Sequence, residues 1–313
     1  MGSRATREAF GATLIELARE GVDVVAVDAD LSGSTTTAKF ADAFPERFFN
    51  VGIAEANMID VAAGLAVAGK VAFTGSFAVF ATGRAYDQVR NTVAYSGLNV
   101  KLAPTHSGIT VGPDGGSHQM LEDIALMRVL PGMRVLVPAD FAAARSALRL
   151  AARTPGPFYV RLGRAGVPDV YDESFELELG RAYVLREGSD VSLVACGVMV
   201  AEALAAADLL AARGISAEVI DAASVKPLDV DTIARSAAKT RAVVTCEEHQ
   251  IIGGLGSAVA ETLGEMAPTP MRRVGIRDVF GTSGEPAELM AHFGLTASDI
   301  ANEAGELVAD RQR

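Results

Sequence analysis

Short apolar runs alternate with longer segments of helical spacing along the first half of the chain. Val24–Val27 is an uninterrupted apolar run, typical of a strand buried on both faces, and Thr6–Arg19 before it has the apolar spacing of a helix. The further predicted strands are Val71–Thr74, Asn99–Ala103, Arg134–Val137 and Phe158–Leu162, and the further predicted helices are Glu55–Ala68, Tyr86–Tyr95 and Phe141–Ala152. This rhythm of strand, helix and strand predicts a parallel sheet covered by helices on both faces.

The rhythm breaks between Val170 and Gly188, where charged residues accumulate and Phe175–Leu179 alternates apolar with acidic positions. We interpret this stretch as a linker with an edge strand. A second alternating set follows, and Thr296 is the expected N-cap of its last helix. Its predicted elements are the strands Val191–Cys196, Ala217–Ile220, Ala242–Cys246 and Met271–Val274 and the helices Met199–Ala212 and Gly256–Met266. The sequence therefore predicts two successive α/β domains, each with a mostly parallel sheet flanked by helices, at residues 1–175 and 189–313, joined by a linker at 176–188.

Composition narrows the class of protein. The chain has 313 residues, half of them hydrophobic, and a net charge of −11 without any basic stripe, which argues against nucleic-acid binding. Its apolar runs are too short to span a membrane, so we expect no membrane partner. Cys196 and Cys246 lie in apolar strand-like runs, as expected for reduced core thiols of a cytoplasmic protein.

Glu55 opens a helix that is almost wholly apolar, in the run Phe49–Met58. We expect its carboxylate to be buried, and burial of an ionised acid is costly unless the acid has a partner. Read locally, the simpler explanation is an acid in the first helical turn that the helix dipole stabilises.

The densest cluster of polar residues follows the strand Asn99–Ala103 and runs from Thr105 to Gln119. It contains two of the four histidines of the chain, His106 and His118, together with Asp114 and four glycines. Parallel α/β sheets place ligands at the carboxyl ends of their strands, and His and Asp side chains here suit recognition of hydroxyl groups. The spacing of these three residues matches no zinc motif, so we predict no metal site. Asp30 also follows a strand and is a candidate, although a turn or cap role explains it locally.

Gly254-Leu255-Gly256 opens a predicted helix and could begin a dinucleotide-binding motif. Position 259 is Val instead of the third glycine of that motif, so we interpret the segment as a helix-packing turn.

Together these segments resemble the carboxyl-terminal half of transketolase, in order and over essentially the entire chain. The segments that carry the resemblance are Val51–Met58, Ser76–Phe80, His106–His118, Leu121–Asp123, Pro131–Met133 and Glu247–His249. The resemblance implies a pyrimidine-binding domain followed by the small carboxyl-terminal domain of the family. The family's diphosphate-binding domain, with its Gly-Asp-Gly metal motif, has no counterpart here. The chain therefore resembles one subunit of a split transketolase, active only with a separately encoded partner.

The resemblance also implies roles for particular residues. Thiamine diphosphate is the expected cofactor, with Glu55 as the acid that hydrogen-bonds its aminopyrimidine ring and Phe77 and Phe80 as the aromatic pair against that ring. The family often has a third aromatic residue one turn later, where this chain has Gly83. Asp30 matches an acid near the cofactor at the subunit contact.

The substrate side follows from the same resemblance. His106, Asp114 and His118 match residues that bind sugar hydroxyls or assist proton transfer, and Arg7 and Arg164 match arginines that bind a substrate phosphate. Mg2+ is expected on the partner subunit, in a heterotetramer in which two of these chains form a dimer flanked by two partners. The expected reaction moves a two-carbon ketol unit from a ketose to an aldose.

Two other functions stay open at this point. The beta subunit of a 2-oxo acid dehydrogenase E1 component, or a deoxyxylulose-phosphate-synthase-like enzyme, would share the chemistry of Glu55. A non-catalytic scaffold subunit could keep the fold, although the combination of Glu55 with both histidines argues against it. The sequence does not identify the sugars, the partner or the pathway.

Overall fold

The computed structural model describes residues 2–312 and consists of two successive α/β domains, which confirms the predicted fold class. Its strands are β1 (Ser3–Ala5), β2 (Val24–Asp28), β3 (Phe48–Asn50), β4 (Val71–Gly75), β5 (Val100–Leu102), β6 (Arg134–Leu136), β7 (Phe158–Val160), β8 (Gly166–Pro168), β9 (Tyr183–Arg186), β10 (Val191–Ala195), β11 (Ala217–Asp221), β12 (Ser224–Lys226), β13 (Val243–Gln250) and β14 (Met271–Ile276). The helices are α1 (Glu8–Arg19), α2 (Ser32–Thr35), α3 (Ala38–Ala43), α4 (Glu55–Val67), α5 (Asp123–Arg128), α6 (Phe141–Arg153), α7 (Met199–Ala211), α8 (Val230–Thr240), α9 (Leu255–Met266), α10 (Pro286–His292) and α11 (Ala297–Gln312).

The first domain is built on a sheet of seven strands in the order β12-β6-β7-β5-β4-β2-β3. All neighbours are parallel except β12, which pairs antiparallel with β6. Strand β2 is buried along its whole length, as its uninterrupted apolar sequence predicts. Because the strands are parallel, the loops after β2, β3, β4 and β5 meet at one edge of the sheet.

Between β4 and β5 the chain forms two π-helical segments, Val79–Arg84 and Gln88–Ala94. The sequence predicted a helix only for the second of them. π-Helical turns are rare and often mark functional sites. The first segment follows β4 directly and carries Phe80 and Arg84 on successive turns.

The second domain has a five-stranded sheet in the order β14-β13-β10-β11-β9, parallel apart from the edge strand β9. Its strand β12 leaves this domain and joins the edge of the first sheet. One apolar core is continuous between the domains, since Val27 and Met58 of the first belong to the same buried cluster as Val194 and Ile220 of the second. At the start of α11, Thr296 Oγ1 accepts a hydrogen bond from the amide of Asp299 at 3.4 Å, as the predicted N-cap requires.

The edge strand predicted for the stretch Val170–Gly188 is present as β9, and the alternating segment Phe175–Leu179 before it forms no strand. Phe175 stacks on Tyr171 with ring centroids 3.7 Å apart, and the amide of Leu177 donates to Ser146 Oγ of α6 at 2.7 Å. The segment is extended and half-buried, but it packs on a helix instead of pairing with a strand. Such packing gives the same alternation of apolar and polar positions as an edge strand.

The turn Gly254-Leu255-Gly256 holds a buried carboxylate instead of a nucleotide. Glu247 of β13 accepts hydrogen bonds from the amides of Leu255 and Gly256, each at 2.8 Å, at the amino terminus of α9. A Cβ at Gly254 would lie 2.0 Å from Glu247 Oε2, so the close approach requires glycine. Burial raises the pKa of Glu247, and His249 and the two amide donors oppose that rise.

None of the helices described in residues 2–312 has the length and apolar character that crossing a membrane requires. Both cysteines are buried and carry free thiols.

Two buried carboxylates tie the segment Val170–Tyr171 to both domains. Asp140 Oδ2 accepts hydrogen bonds from the amides of Val170 and Tyr171, each at 2.7 Å. The hydroxyl of Tyr171 donates to Asp221 Oδ2 at the end of β11, at 2.8 Å. Burial raises the pKa of Asp221 to about 7, with Asp140 adding to the rise and the Tyr171 hydroxyl opposing it.

This raised pKa predicts a pH dependence of stability. The folded chain keeps a proton on Asp221 up to about pH 7, whereas the unfolded chain loses it near about pH 4. Between these values the free energy of unfolding falls as the pH rises, by at most about 1.4 kcal/mol per pH unit, and the loss is complete above pH about 7. Asp221→Asn has no titrating carboxyl group at this position, so its free energy of unfolding does not carry this loss. We therefore expect its stability relative to the wild type to increase from pH 5 to pH 7. Urea denaturation at pH 5, 6, 7 and 8 measures the difference, and a difference that stays constant over this range contradicts the account.

Candidate functional site

Two neighbouring strand ends bring an aromatic ring against a histidine. Beyond β4 and β5 the parallel ladder continues, since the amide of Thr105 donates to Ser76 O at 3.0 Å and the amide of Ala78 donates to Thr105 O at 2.8 Å. Phe77 and His106 therefore lie side by side, with ring centroids 3.8 Å apart and planes at 20°. The sequence placed these two residues in separate segments, and the sheet register joins them.

Glu55 is buried, as the sequence predicted: it retains 2% of its exposure at the first position of α4. Both of its carboxylate oxygens accept hydrogen bonds from Arg84 Nη1, at 3.0 Å and 2.9 Å. The positive end of the helix dipole also stabilises a carboxylate at this position. The acid therefore has a partner cation, which offsets the cost of burying its charge.

Arg84 was not anticipated from the sequence. Its guanidinium carbon lies 4.4 Å above the centroid of the Phe80 ring, while 54% of its side chain remains exposed to solvent. Phe80 and Arg84 are four residues apart in a helical segment, a spacing that places two side chains on one face, and this spacing is the sequence signal that could have revealed the pair.

An aromatic wall connects Glu55 to the histidine loop. The rings of Phe77 and Phe80 are 5.9 Å apart and nearly parallel, at 12°, and His118 meets both edge-on at 6.3 Å and 5.5 Å. Phe77 is covered on one side by His106, and Phe80 is covered by the guanidinium of Arg84. Gly83, where the family often has a third aromatic residue, is exposed and adds no side chain to this wall.

His106 is held in an unusual backbone conformation. Its φ of 60° lies in the left-handed region, which non-glycine residues adopt rarely and mainly where surrounding structure enforces it. Thr105 Oγ1 lies 2.7 Å from His106 Nδ1, within hydrogen-bonding distance. Burial and, to a smaller extent, the nearby charges of Arg7, Arg164 and His118 together lower the pKa of His106 to about 3. The imidazole is therefore neutral at physiological pH.

The remaining loop residues and the two predicted arginines lie beside His106. Asp114 Oδ1 is 3.9 Å from Arg164 Nη1, and Arg164 also donates to the carbonyl oxygen of Val111. Arg7 Nη1 donates to Ser34 O at 2.9 Å. Burial lowers the pKa of Arg7, and the charge of Arg164 adds to this effect. Two neighbouring guanidinium groups that repel each other form a natural position for an anion such as a phosphate.

Asp30 lies apart from this group, at the exposed rim formed by the ends of β2 and β3. Its φ of 63° is also left-handed, and it pairs with Asn50, whose Nδ2 donates to Asp30 Oδ1 at 3.2 Å. Asn50 Oδ1 accepts from the amide of Gly52 at 2.9 Å, so the same side chain also orders the segment that leads to Glu55. This role of Asn50 was not expected from the sequence.

The second domain holds the histidine loop in place through Glu248. Glu248 Oε1 accepts a hydrogen bond from the amide of Thr110 at 2.7 Å. The guanidinium of Arg161 also contacts Glu248, since its Nη2 donates to the carbonyl oxygen of Glu248 at 3.0 Å. Arg161 Nε donates to Asp123 Oδ2 at 2.7 Å. Burial raises the pKa of Glu248, while Arg161 and Thr110 oppose the rise. Sequence reasoning missed this role because the pair Glu248–Thr110 is separated by 138 positions along the chain.

Among residues 2–312, no group of three or more His, Cys, Asp or Glu side chains is arranged to hold a metal ion.

Two family models cover this chain. The transketolase pyrimidine-binding domain matches residues 2–169, and the transketolase C-terminal domain matches residues 180–300. A putative transketolase C-terminal section from Methanocaldococcus jannaschii is 48% identical over 97% of this chain and 96% of its own length. The 6-deoxy-6-sulfo-D-fructose transketolase subunit SqwH of Clostridium sp. (strain MSTE9) is also 48% identical, over 96% of this chain and 94% of its own length.

A solved structure agrees with these sequence relatives. The split-gene transketolase in an inactive beta4 tetramer superposes on this chain with a TM-score of 0.91 at 52% identity, and the alignment covers 98% of this chain and 99% of that one. The chain is therefore similar along its whole length to subunits and sections of transketolase.

The environment of His106 predicts that its imidazole does not titrate near neutral pH. Because burial and the neighbouring cations lower its pKa to about 3, we expect its NMR ring resonances to stay at their neutral positions from pH 5 to pH 8. Arg7→Met should raise this pKa by removing one of the charges. A midpoint near 6.5 in the wild type would contradict the described environment.

The contact between Gly108 and Glu248 predicts the effect of a single methyl group. Gly108 has φ +82°, and a Cβ there would lie 2.2 Å from the carboxyl carbon of Glu248. Gly108→Ala should therefore lower stability by a few kcal/mol and displace the histidine loop. Thermal denaturation measures the loss, and Gly64→Ala, at an exposed helical glycine with open space around it, is the control. An unchanged melting temperature in Gly108→Ala would show that the loop does not need this contact.

Proposed function

The chain belongs to the transketolase family, and on that premise we propose that it is the subunit of a split transketolase that supplies the pyrimidine side of the cofactor site. The enzyme transfers a two-carbon ketol unit from a ketose, which we expect to be phosphorylated, to an aldose. The observation that carries the proposal is the buried carboxylate of Glu55 beside the ring of Phe80, which the guanidinium of Arg84 covers, in a chain that matches transketolase subunits from end to end.

The residues around Glu55 fit an aminopyrimidine. A planar guanidinium already lies against Phe80 while it donates to both oxygens of Glu55. A flat, hydrogen-bond-donating ring makes the same two contacts, a face against the aromatic ring and an edge toward the carboxylate. Thiamine diphosphate, when bound, supplies a thiazolium carbon that acts as the nucleophile toward the ketose carbonyl.

In this proposal Glu55 holds the proton on the ring nitrogen that faces it. Its burial strengthens that hydrogen bond, because the surroundings have a low effective dielectric constant. Phe77 and Phe80 form the wall against the ring, with His106 supporting Phe77 from behind. The exposed Gly83 leaves part of the wall open, so we propose that the partner subunit closes it.

We propose that His106, His118 and Asp114 bind the hydroxyl groups of the sugar. With Nδ1 of His106 beside the hydroxyl of Thr105, Nε2 of the neutral ring is left to donate to a sugar hydroxyl or to accept from it, depending on the tautomer. Arg7 and Arg164 would bind the phosphate of the substrate, since their mutual repulsion is relieved by an anion between them. Asp30, on the rim near Asn50, would contact the cofactor across the subunit boundary.

The partner subunit would carry the diphosphate-binding domain and the Mg2+ ligands. The split-gene relative solved as a beta4 tetramer is described as inactive, which supports a requirement for a second kind of chain. We propose a heterotetramer of two copies of this chain and two partners, with domain bounds at 1–175 and 189–313 and a linker at 176–188. Free buried thiols at Cys196 and Cys246 fit a reducing compartment such as the cytoplasm.

The proposal is tested by reconstitution. We expect this chain, mixed with the chain from the same genome that bears the Gly-Asp-Gly motif, to release aldose from a ketose phosphate when thiamine diphosphate and Mg2+ are present. Glu55→Gln keeps the shape of the side chain but not its charge, so it should leave folding and partner binding intact while it lowers turnover by about a hundredfold or more. Asp60→Asn, which removes an exposed acid from the same helix, is the matched control and should retain activity.

Two results would contradict the proposal. Near-normal turnover in Glu55→Gln would remove the catalytic role of this acid. Release of CO2 from pyruvate, without ketol transfer, would assign the pair to the oxo-acid dehydrogenase or deoxyxylulose-phosphate-synthase type of enzyme instead.

A further inference from the structure

Arg84 occupies a position that a cofactor ring would also need. Its guanidinium is planar, lies 4.4 Å from the centroid of Phe80 and donates to both oxygens of Glu55. These are the two contacts that the proposed function assigns to the aminopyrimidine of thiamine diphosphate. Two flat groups cannot both lie on this face of Phe80 and both bond the same edge of Glu55.

We propose that Arg84 is a placeholder: it fills the pyrimidine position of the cofactor-free chain and must swing out when thiamine diphosphate binds. This inference rests on the proposed function, because it takes the identity of the cofactor from it. In the free chain the guanidinium neutralises Glu55, which would otherwise be a buried charge without a partner.

The surroundings of Arg84 allow such a movement. More than half of its side chain is exposed, whereas Glu55 retains 2% exposure, so the arginine can leave toward solvent and the acid cannot. Water and salt screen the pair on the exposed side of Arg84, and the long arginine side chain loses entropy in it, so a ligand that bonds Glu55 in its place can displace the arginine.

A placeholder lowers the apparent affinity for the cofactor. The cofactor can bind only to those chains in which Arg84 has left the pyrimidine position. The apparent dissociation constant is therefore the intrinsic one divided by the fraction of such chains. If Arg84 occupies the pyrimidine position in about nine-tenths of the chains, replacing it lowers the apparent dissociation constant of the cofactor about tenfold.

The test compares Arg84→Met with Arg90→Met, a matched control that removes an exposed arginine from the next helical segment, where it contacts Asn91. Calorimetric titration of thiamine diphosphate into each reconstituted pair, with Mg2+ present, should give a dissociation constant up to about tenfold lower for Arg84→Met and an unchanged value for Arg90→Met. Unchanged or weaker binding by Arg84→Met would overturn the proposal, and weaker binding would identify Arg84 as a ligand of the bound ring.

A second readout uses the isolated chain without cofactor. Arg84→Met should lower the melting temperature by about 2–4 °C, because Glu55 loses its partner, and the loss should vanish when Glu55→Gln is also present. An equal loss in both backgrounds would show that Arg84 stabilises the chain through contacts other than Glu55 and would overturn the placeholder. If Arg84→Met does not fold, Arg84→Gln replaces it in both measurements.

The two hypotheses fail differently. If the wild-type pair binds no thiamine diphosphate, the proposed function is wrong, and the placeholder loses its ligand with it. If the wild-type pair binds the cofactor and Arg84→Met binds it no better, only the placeholder is wrong.

Discussion

The structure depends on a carboxylate that is buried where burial is costly. Glu55 opens α4 with 2% exposure, and its charge requires a donor from outside its own helix. In the chain alone, Arg84 is that donor and Phe80 is the surface on which it rests. Glu55 and Phe80 thus already bind a planar group that donates hydrogen bonds, and a ring of the same shape can take its place. The burial of one acid therefore connects the fold to the proposed chemistry.

The rest of the fold arranges the histidine loop around this point. Parallel pairing of β4 and β5 places His106 against Phe77, and the left-handed backbone at His106 directs its ring there. The second domain takes part through Glu248, whose carboxylate accepts a hydrogen bond from the amide of Thr110. The carbonyl oxygen of Glu248 accepts from Arg161, which forms a buried ion pair with Asp123. The carboxyl-terminal domain therefore supports the histidine loop, although none of the predicted site residues lies within it.

Much of this arrangement could be predicted from the sequence, and the misses have physical reasons. The apolar runs and the acid at the head of an apolar helix revealed the parallel sheet and the burial of Glu55, because both follow from local periodicity. The edge strand of Val170–Gly188 lies at β9 and not at Phe175–Leu179, because packing on a helix gives the same alternation as a sheet edge. The bond of Arg84 to Glu55 and the bond of Glu248 to Thr110 could not be found in this way, because they join residues 29 and 138 positions apart, although the spacing of Arg84 from Phe80 is a local signal.

The central claim is that Glu55 and Phe80 hold the pyrimidine ring of thiamine diphosphate in a cleft that a second chain completes. A crystal structure of the reconstituted complex with thiamine diphosphate and Mg2+ tests it most directly. The account predicts a carboxylate oxygen of Glu55 within hydrogen-bonding distance of the ring nitrogen, the ring against Phe80, and the diphosphate and metal on the partner chain. A ring bound elsewhere, with Glu55 still paired to Arg84, would contradict it.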